Sequence, residues 1–299
     1  MAGADDKRPR WRELLSGPDP LLLPCAHDAL SARLIERAGF RAYSIGGFPL
    51  VGARYGLPDI GLVGLGEMAA GMRDITAASE LAVLVDGDHG YGDAKNVART
   101  IRTYEAMGVG AIFIEDQVAP KRCGHMAGKD VVPTAIMEEK LRAAAAAREQ
   151  DTFLLARTDA RAIHGLDEAL RRGERYLRAG ADGIFIEAPE TLDEMRIVGR
   201  AFKGVPQLAN MLEGGRTPLV DPKELKAMGF AMIAYPTTLI FRVARTIEKA
   251  LADLAAGRLA LEGEGVDFAA FKAITGFEDW VKWETIAATP ALGRKSTAA

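Results

Sequence analysis

Lys121-Arg122-Cys123-Gly124-His125 packs a thiol, an imidazole and two cations into five consecutive residues. A thiol flanked by positive charge has its thiolate form favoured, so the Cys123 proton is expected to move near neutral pH. Cys123 then suits a proton donor, and Lys121 and His125 suit stabilisation of negative charge that develops during a reaction. A buried structural cysteine is the plain alternative, but a place between Lys121 and His125 in a loop argues against it. Gly124 and Gly128 leave the segment free to move, as a lid must.

A second set of residues is acidic. Asp86-Gly87-Asp88, Glu115 and Asp59 offer hard oxygen ligands of the kind that suit Mg²⁺ or Mn²⁺. Magnesium keeps several waters and takes one or two carboxylates directly, so the remainder act through water. One such aspartate alone would be read as a helix cap. Two at a strand end, joined by glycine and facing Glu115, favour a metal. Near a metal, Arg157 is expected to bind a substrate carboxylate rather than form a structural ion pair. Cys25 has no charged partner in sequence and reads as packing, and His27 and His164 read as turn or capping residues.

These residues need elements to hold them. Short apolar runs recur at Leu21–Cys25, Ala42–Ile45, Leu81–Val85, Gly110–Glu115, Thr152–Ala156, Ile184–Ile186, Gln207–Ala209 and Ala231–Ala234, each followed by a helical pattern. Buried runs alternating with helices predict parallel pairing with right-handed crossovers. Asp28 and Asp93 are expected helix caps. Ala-Ile-Phe-Ile-Glu115 echoes Gly-Ile-Phe-Ile-Glu187 at a spacing of 72 residues with one strand between, a unit of 36 residues. Eight such units nearly fill 299 residues, so the expected fold is a single-domain (β/α)₈ TIM-type barrel. An open doubly wound sheet fits less well, since no strand is followed by a glycine-rich nucleotide fingerprint. Residues 1–10 are read as a tail and 258–299 as a helical extension. In a barrel, chemistry gathers at the C-terminal ends of the strands. Ser44, Asp86, Asp88, Glu115, Arg157, Glu187 and Asn210 all fall there.

A formal charge of −3 argues against nucleic acid or an anionic membrane as the main partner. Two cysteines fit a reducing compartment rather than a disulfide framework. The apolar run Leu21–Leu23 is too short for a signal or membrane helix. The expectation is a cytoplasmic protein acting on a small molecule.

Lys-Arg-Cys-Gly-His at 121–125, preceded by Ile-Glu-Asp-Gln at 114–117, resembles the signature of the isocitrate lyase and phosphoenolpyruvate mutase superfamily. The resemblance extends through Pro24–Ser31, Gly56–Asp59, Asp86–Gly92, Ala156–Asp159 and Glu187 to Tyr235-Pro236. Its carbon–carbon lyase branch, with 2-methylisocitrate lyase and 2,3-dimethylmalate lyase, is the most similar. That resemblance implies a barrel with Mg²⁺ on Asp86, and Asp59, Asp88 and Glu115 acting through water. It also implies a mobile gate, Cys123 as proton donor, and Tyr43, Gly46, Gly47, Arg157, Glu187 and Asn210 around a 2-oxo acid. Ser44 and Gly124 join this substrate-binding set, and Tyr43 or a carboxylate–water pair is the expected base. The resemblance further implies a homotetramer in which C-terminal helices pack on a neighbouring subunit. Ile45 stands where the family has a serine directly before the glycines, and Asp88–Gly92 looks more like the oxaloacetate decarboxylase branch, whose members lack the cysteine loop. Enzymes of the same superfamily that act on oxaloacetate, phosphonopyruvate or carboxyphosphonoenolpyruvate are therefore the alternative.

Overall fold

The computed structural model describes residues 8–258 and 263–288. Eight strands form where apolar runs meet glycine or charge: β1 Leu21–Pro24, β2 Ala42–Ile45, β3 Ala82–Asp86, β4 Ala111–Glu115, β5 Phe153–Thr158, β6 Gly183–Ile186, β7 Leu208–Asn210 and β8 Met232–Tyr235. Each of the eight expected runs is a strand, displaced by at most two residues at an end. All pairing is parallel, in the runs β1-β8-β7 and β2-β3-β4-β5-β6. Parallel bridges at Cys25–Ser44 and Ile184–Gln207 join the two runs, so the sheet closes on itself as a barrel.

Because side chains alternate along a strand, each strand divides its residues between two cores. Leu21, Leu23, Ala42, Leu84, Phe113, Leu155, Phe185, Leu208 and Met232 fill the barrel interior. Tyr43, Ile45, Val83, Val85, Ile112, Ile114, Leu154 and Ile184 face the helices. A short helix that the sequence did not announce, Trp11–Leu15, adds Trp11 and Leu14 to the interior cluster. Arg8, in the expected tail, donates to the carbonyls of Met107 and Gly108 at 2.9 Å each. Residues 1–7 of that tail lie outside the described residues.

The expected caps form. The Asp28 carboxylate accepts from Ser31 N at 2.7 Å, and Asp93 accepts from Lys95 N at 2.9 Å. Gly108 closes the helix Ala94–Glu105 at φ +75, a left-handed conformation that favours glycine.

The chain divides into two compact units, Met1–Thr246 and Ile247–Ala299. The helix Thr238–Ala255 runs across that boundary. Two further helices follow in the second unit, Phe268–Thr275 and Phe277–Ala288. Residues 259–262 and 289–299 of the expected extension lie outside the described residues. Among the described residues no helix is long and apolar enough to cross a membrane.

Candidate active site

The C-terminal ends of the strands surround a cavity lined by Ser44, Gly46, Gly47, Asp59, Asp86, Glu115, Lys121, Cys123, Gly124, His125, Arg157, Glu187 and Asn210. Period-two alternation puts them there. Glu115 follows Phe113, Arg157 follows Leu155 and Asn210 follows Leu208, each two residues beyond a barrel-interior side chain.

The same alternation corrects one expectation. Tyr43 is fully buried in the layer between sheet and helices, one residue out of phase with Ser44, and is absent from the cavity wall. Burial pushes its phenol well above the ordinary value. Tyr43 is therefore not placed to take the substrate's hydroxyl proton.

At the acidic end, the Asp86 carboxylate is held by two backbone donors, Gly47 N at 3.0 Å and Asp88 N at 2.8 Å. Asp88 adopts φ +46, which turns its amide toward Asp86. A Cβ on Gly47 would lie 3.2 Å from Asp86 Oδ2 and 3.3 Å from Lys121 Nζ, so a side chain there would crowd both groups. Burial, and then Asp88, push Asp86 up to about 6. Burial likewise pushes Glu115 well above the carboxylate range.

The Lys121 ammonium lies between two of these acids, 2.6 Å from both Asp59 Oδ1 and Asp88 Oδ1. Burial acts to lower Lys121, but Asp88, Asp86 and Asp59 outweigh it and raise it well above its ordinary value. Among the described residues no three acidic, histidine or cysteine side chains form a ready metal cage. The expected four-carboxylate set thus gathers at one rim without closing into a cage. A magnesium ion that keeps much of its water does not need one. Among the described residues Glu115 Oε1 is buried with no hydrogen-bond partner, an orphan hard oxygen beside Asp86. These residues fit a hydrated divalent cation.

Beside Glu115 on the neighbouring strand stands Arg157, 7% exposed. Its Nε and Nη2 meet the Asp159 carboxylate at 3.0 and 3.1 Å, and Glu115 and Glu187 lie 3.4 Å away. The guanidinium also lies over the rings of Phe185 and Phe113, with its carbon 5.1 and 5.8 Å from the centroids. Burial acts to raise Glu187, yet Arg157 and His125 hold it at about 2. Asn210 Nδ2 lies 3.4 Å from both Glu187 oxygens.

Residues 118–130 form a loop over the cavity, its base closed by an antiparallel bridge between Gln117 and Val131. Cys123, Gly124 and His125 reach the wall. His125 Nδ1 accepts from Arg216 N at 3.0 Å, so the ring carries hydrogen on Nε2, which lies 2.9 Å from Glu187 Oε1, off the line of a good hydrogen bond. The expected ease of thiolate formation is also corrected. Burial, the largest influence, pushes the Cys123 thiol up, while Lys121 and His125 face carboxylates instead of the sulfur. A thiol that keeps its proton is better suited to donating one than to attacking as a nucleophile.

Several wall residues escaped sequence reasoning. Cys25, expected as packing, lines the cavity and accepts from Gly46 N at 3.1 Å. Phe113 and Phe185 were legible in the Ile-Phe-Ile-Glu echo, two residues before each glutamate and hence on its face. Asp159 stands two residues beyond Arg157 by the same count. Lys129 carried no such signal. Asp116, next to Glu115 but on the opposite face, accepts from Thr158 Oγ1, Tyr176 Oη and Arg172 Nη1 at 2.7, 2.8 and 3.0 Å and ties β4 and β5 to the helix Leu166–Arg178.

Comparison with known proteins agrees with this architecture. Residues 11–255 match the family profile of phosphoenolpyruvate phosphomutase. The chain is 43% identical to petal death protein of Dianthus caryophyllus over 93% of its own length and 89% of that protein's. It is 45% identical to 2,3-dimethylmalate lyase of Eubacterium barkeri (82% and 83% covered) and 42% identical to 2-methylisocitrate lyase of Bacillus subtilis (80% and 79%). Among solved structures, oxaloacetate acetylhydrolase bound to 3,3-difluorooxalacetate matches with a TM-score of 0.90 at 29% identity, covering 94% of this chain and 97% of that one. A 2,3-dimethylmalate lyase matches at 0.87 and 35%, with 94% of each chain covered. Phosphonopyruvate hydrolase, in complex with oxalate and Mg²⁺, matches at 0.82 and 27%, covering 92% and 96%.

Proposed function

Because the chain belongs to the phosphoenolpyruvate mutase and isocitrate lyase superfamily and is an enzyme of its carbon–carbon lyase kind, we propose that it cleaves a 2-hydroxy di- or tricarboxylate. The substrate is of the 2-methylisocitrate or 2,3-dimethylmalate type, and the products are a 2-oxo acid and a second carboxylic acid. One observation carries this reading: the Cys123 thiol, kept protonated by burial, shares a cavity with Arg157 and with the carboxylate rim.

Asp86, with Asp59, Asp88 and Glu115 through water, would hold Mg²⁺ or Mn²⁺. The bound ion would supply Lewis-acid stabilisation of the substrate's 2-oxygen and adjoining carboxylate. Arg157 receives a carboxylate of the substrate, its guanidinium oriented by Asp159. With Tyr43 turned away, a rim carboxylate acting through water takes the 2-hydroxyl proton. The electron pair of that O–H bond becomes the carbonyl, the C2–C3 bond breaks, and its electrons pass to the departing carbon as an aci-carboxylate. Lys121 and Arg157 balance that dianion's charge. Cys123 Sγ–H protonates the carbon, and solvent restores the thiol when the lid opens.

The phenyl rings of Phe113 and Phe185, with Phe48, Leu212 and Pro236, give the wall an apolar side that suits an alkyl-substituted acid. The test is a product assay with Mg²⁺ against a panel of substituted malates and isocitrates, with oxaloacetate and phosphonopyruvate included. Release of a 2-oxo acid from an alkyl malate or methylisocitrate supports the proposal. Turnover confined to oxaloacetate or phosphonopyruvate would assign the chain to those branches instead.

A further inference from the structure

Lys129 takes no part in the chemistry above, yet its side chain is only 3% exposed. Its Nζ lies 2.6 Å from Asp159 Oδ1 and also donates to the Gly124 carbonyl at the tip of its own loop. A lysine is rarely buried so completely unless it is paired. The partner here is not a bystander. Asp159 Oδ2 accepts from Arg157 Nε at 3.0 Å, and Oδ1 is shared between Arg157 Nη2 at 3.1 Å and the Lys129 ammonium. Asp159 is fixed in turn, since its own amide donates to Asp116 Oδ1 at 3.0 Å.

Counting charge around Arg157 shows what this arrangement does. Three carboxylates, Asp159, Glu115 and Glu187, lie within 3.4 Å of one guanidinium. Even with the neutral form of Glu115 favoured by burial, Asp159 and Glu187 outnumber the guanidinium in this wall and would repel a polycarboxylate. Within it, the loop places the Lys129 ammonium on Asp159 and a ring N–H beside Glu187. With Asp159 neutralised from the lid side, Arg157 retains positive charge for an incoming carboxylate.

We propose that Lys129 is a positioning residue: its pairing with Asp159 latches the 118–130 loop over the cavity and couples that closure to the charge and orientation of Arg157. The latch itself is a statement about geometry. Its consequence for catalysis rests on the reading of Arg157 as the substrate-carboxylate site.

Cys123 reports on the latch without any substrate. With the loop in place Cys123 is half-buried, and Cys25, 2% exposed in the cavity wall at the end of β1, is an internal reference. The rate at which iodoacetamide alkylates each cysteine, followed by peptide mass, is compared in the parent, Lys129→Met, Lys129→Gln and Lys129→Arg, with and without oxalate plus Mg²⁺. Breaking a buried charge pair leaves Asp159 uncompensated on the lid side, so Lys129→Met and Lys129→Gln should alkylate at Cys123 about tenfold faster or more. Cys25, packed into the wall at the end of β1, should change far less than Cys123, and Lys129→Arg, which keeps the charge, should restore much of the protection. Parental Cys123 rates in both neutral variants would overturn the proposal. Equal acceleration of Cys25 and Cys123 would also overturn it, because that marks general loosening of the barrel. If no acid in the substrate panel is cleaved, the functional reading fails while the alkylation rates still decide the latch.

Discussion

At the scale of single residues, chemistry here depends on burial as much as on residue type. Cys123 keeps its proton because desolvation outweighs nearby cations. Cys123→Ala should therefore leave folding and metal binding intact and lower turnover by ~10²–10⁴, the usual worth of a positioned general acid. Cys123→Ser should be nearly as slow, because a hydroxyl is a far weaker acid. Parental turnover in Cys123→Ala would make the thiol structural. Tyr43→Phe is the converse case. The phenol oxygen is buried with no hydrogen-bond partner among the described residues, so its removal should leave turnover unchanged and the melting temperature equal or higher. Asp86 carries the pH dependence. Its carboxyl is pushed up to about 6, against an ordinary value of about 3.9. A cation must compete with that proton, so affinity for Mg²⁺ should be full well above pH 6. It should weaken by about tenfold per unit below. Calorimetric titration of Mg²⁺ at pH 7.5 and 5 checks this, and an affinity independent of pH would remove Asp86 as the ligand.

Among the elements, the 118–130 loop meets the barrel with little room to spare. A Cβ on Gly124 would overlap Arg157 Nη2 and the Glu187 side chain, and one on Gly215 would lie 2.7 Å from His125 Nδ1. Both glycines let the lid approach the barrel more closely than a side chain permits. Gly124→Ala should fold normally, since the residue sits in a loop. Its turnover should fall by about 10²-fold, because misplacement of reacting groups by an ångström costs that much. Steady-state kinetics together with a melting curve would separate this outcome from simple destabilisation, which is the result that would refute it.

For the whole molecule, the second unit raises the question of assembly. Phe268 is 83% exposed, Trp280 69% and Trp283 63%. Aromatic surface on this scale is normally covered by another surface. We propose a homotetramer in which copies of the chain cover it. Light scattering should return a mass near four times the 32.0 kDa chain. A 32 kDa species that persists at micromolar concentration would refute assembly, and Trp280→Ser with Trp283→Ser should dissociate the parent if these residues carry the contact.

Much of the protein was legible in its residues because barrel strands obey a local rule. A buried parallel strand needs a continuous apolar run, and its polar end residue marks the mouth of the barrel. That located all eight strands with Asp86, Glu115 and Arg157 at their ends, and the residue types of 121–125 marked the loop at the cavity. Alternation along β2 also held the answer on Tyr43, since Ala42 and Ser44 share the interior face and Tyr43 cannot. What remained out of reach was set by distance through space. That Lys121 lies between Asp59 and Asp88, that His125 meets Glu187 and that Lys129 finds Asp159 follows from folding a loop across the barrel mouth. Desolvation depends likewise on what covers a group. For that reason the protonation of Cys123 and Asp86 was decided by the tertiary structure alone.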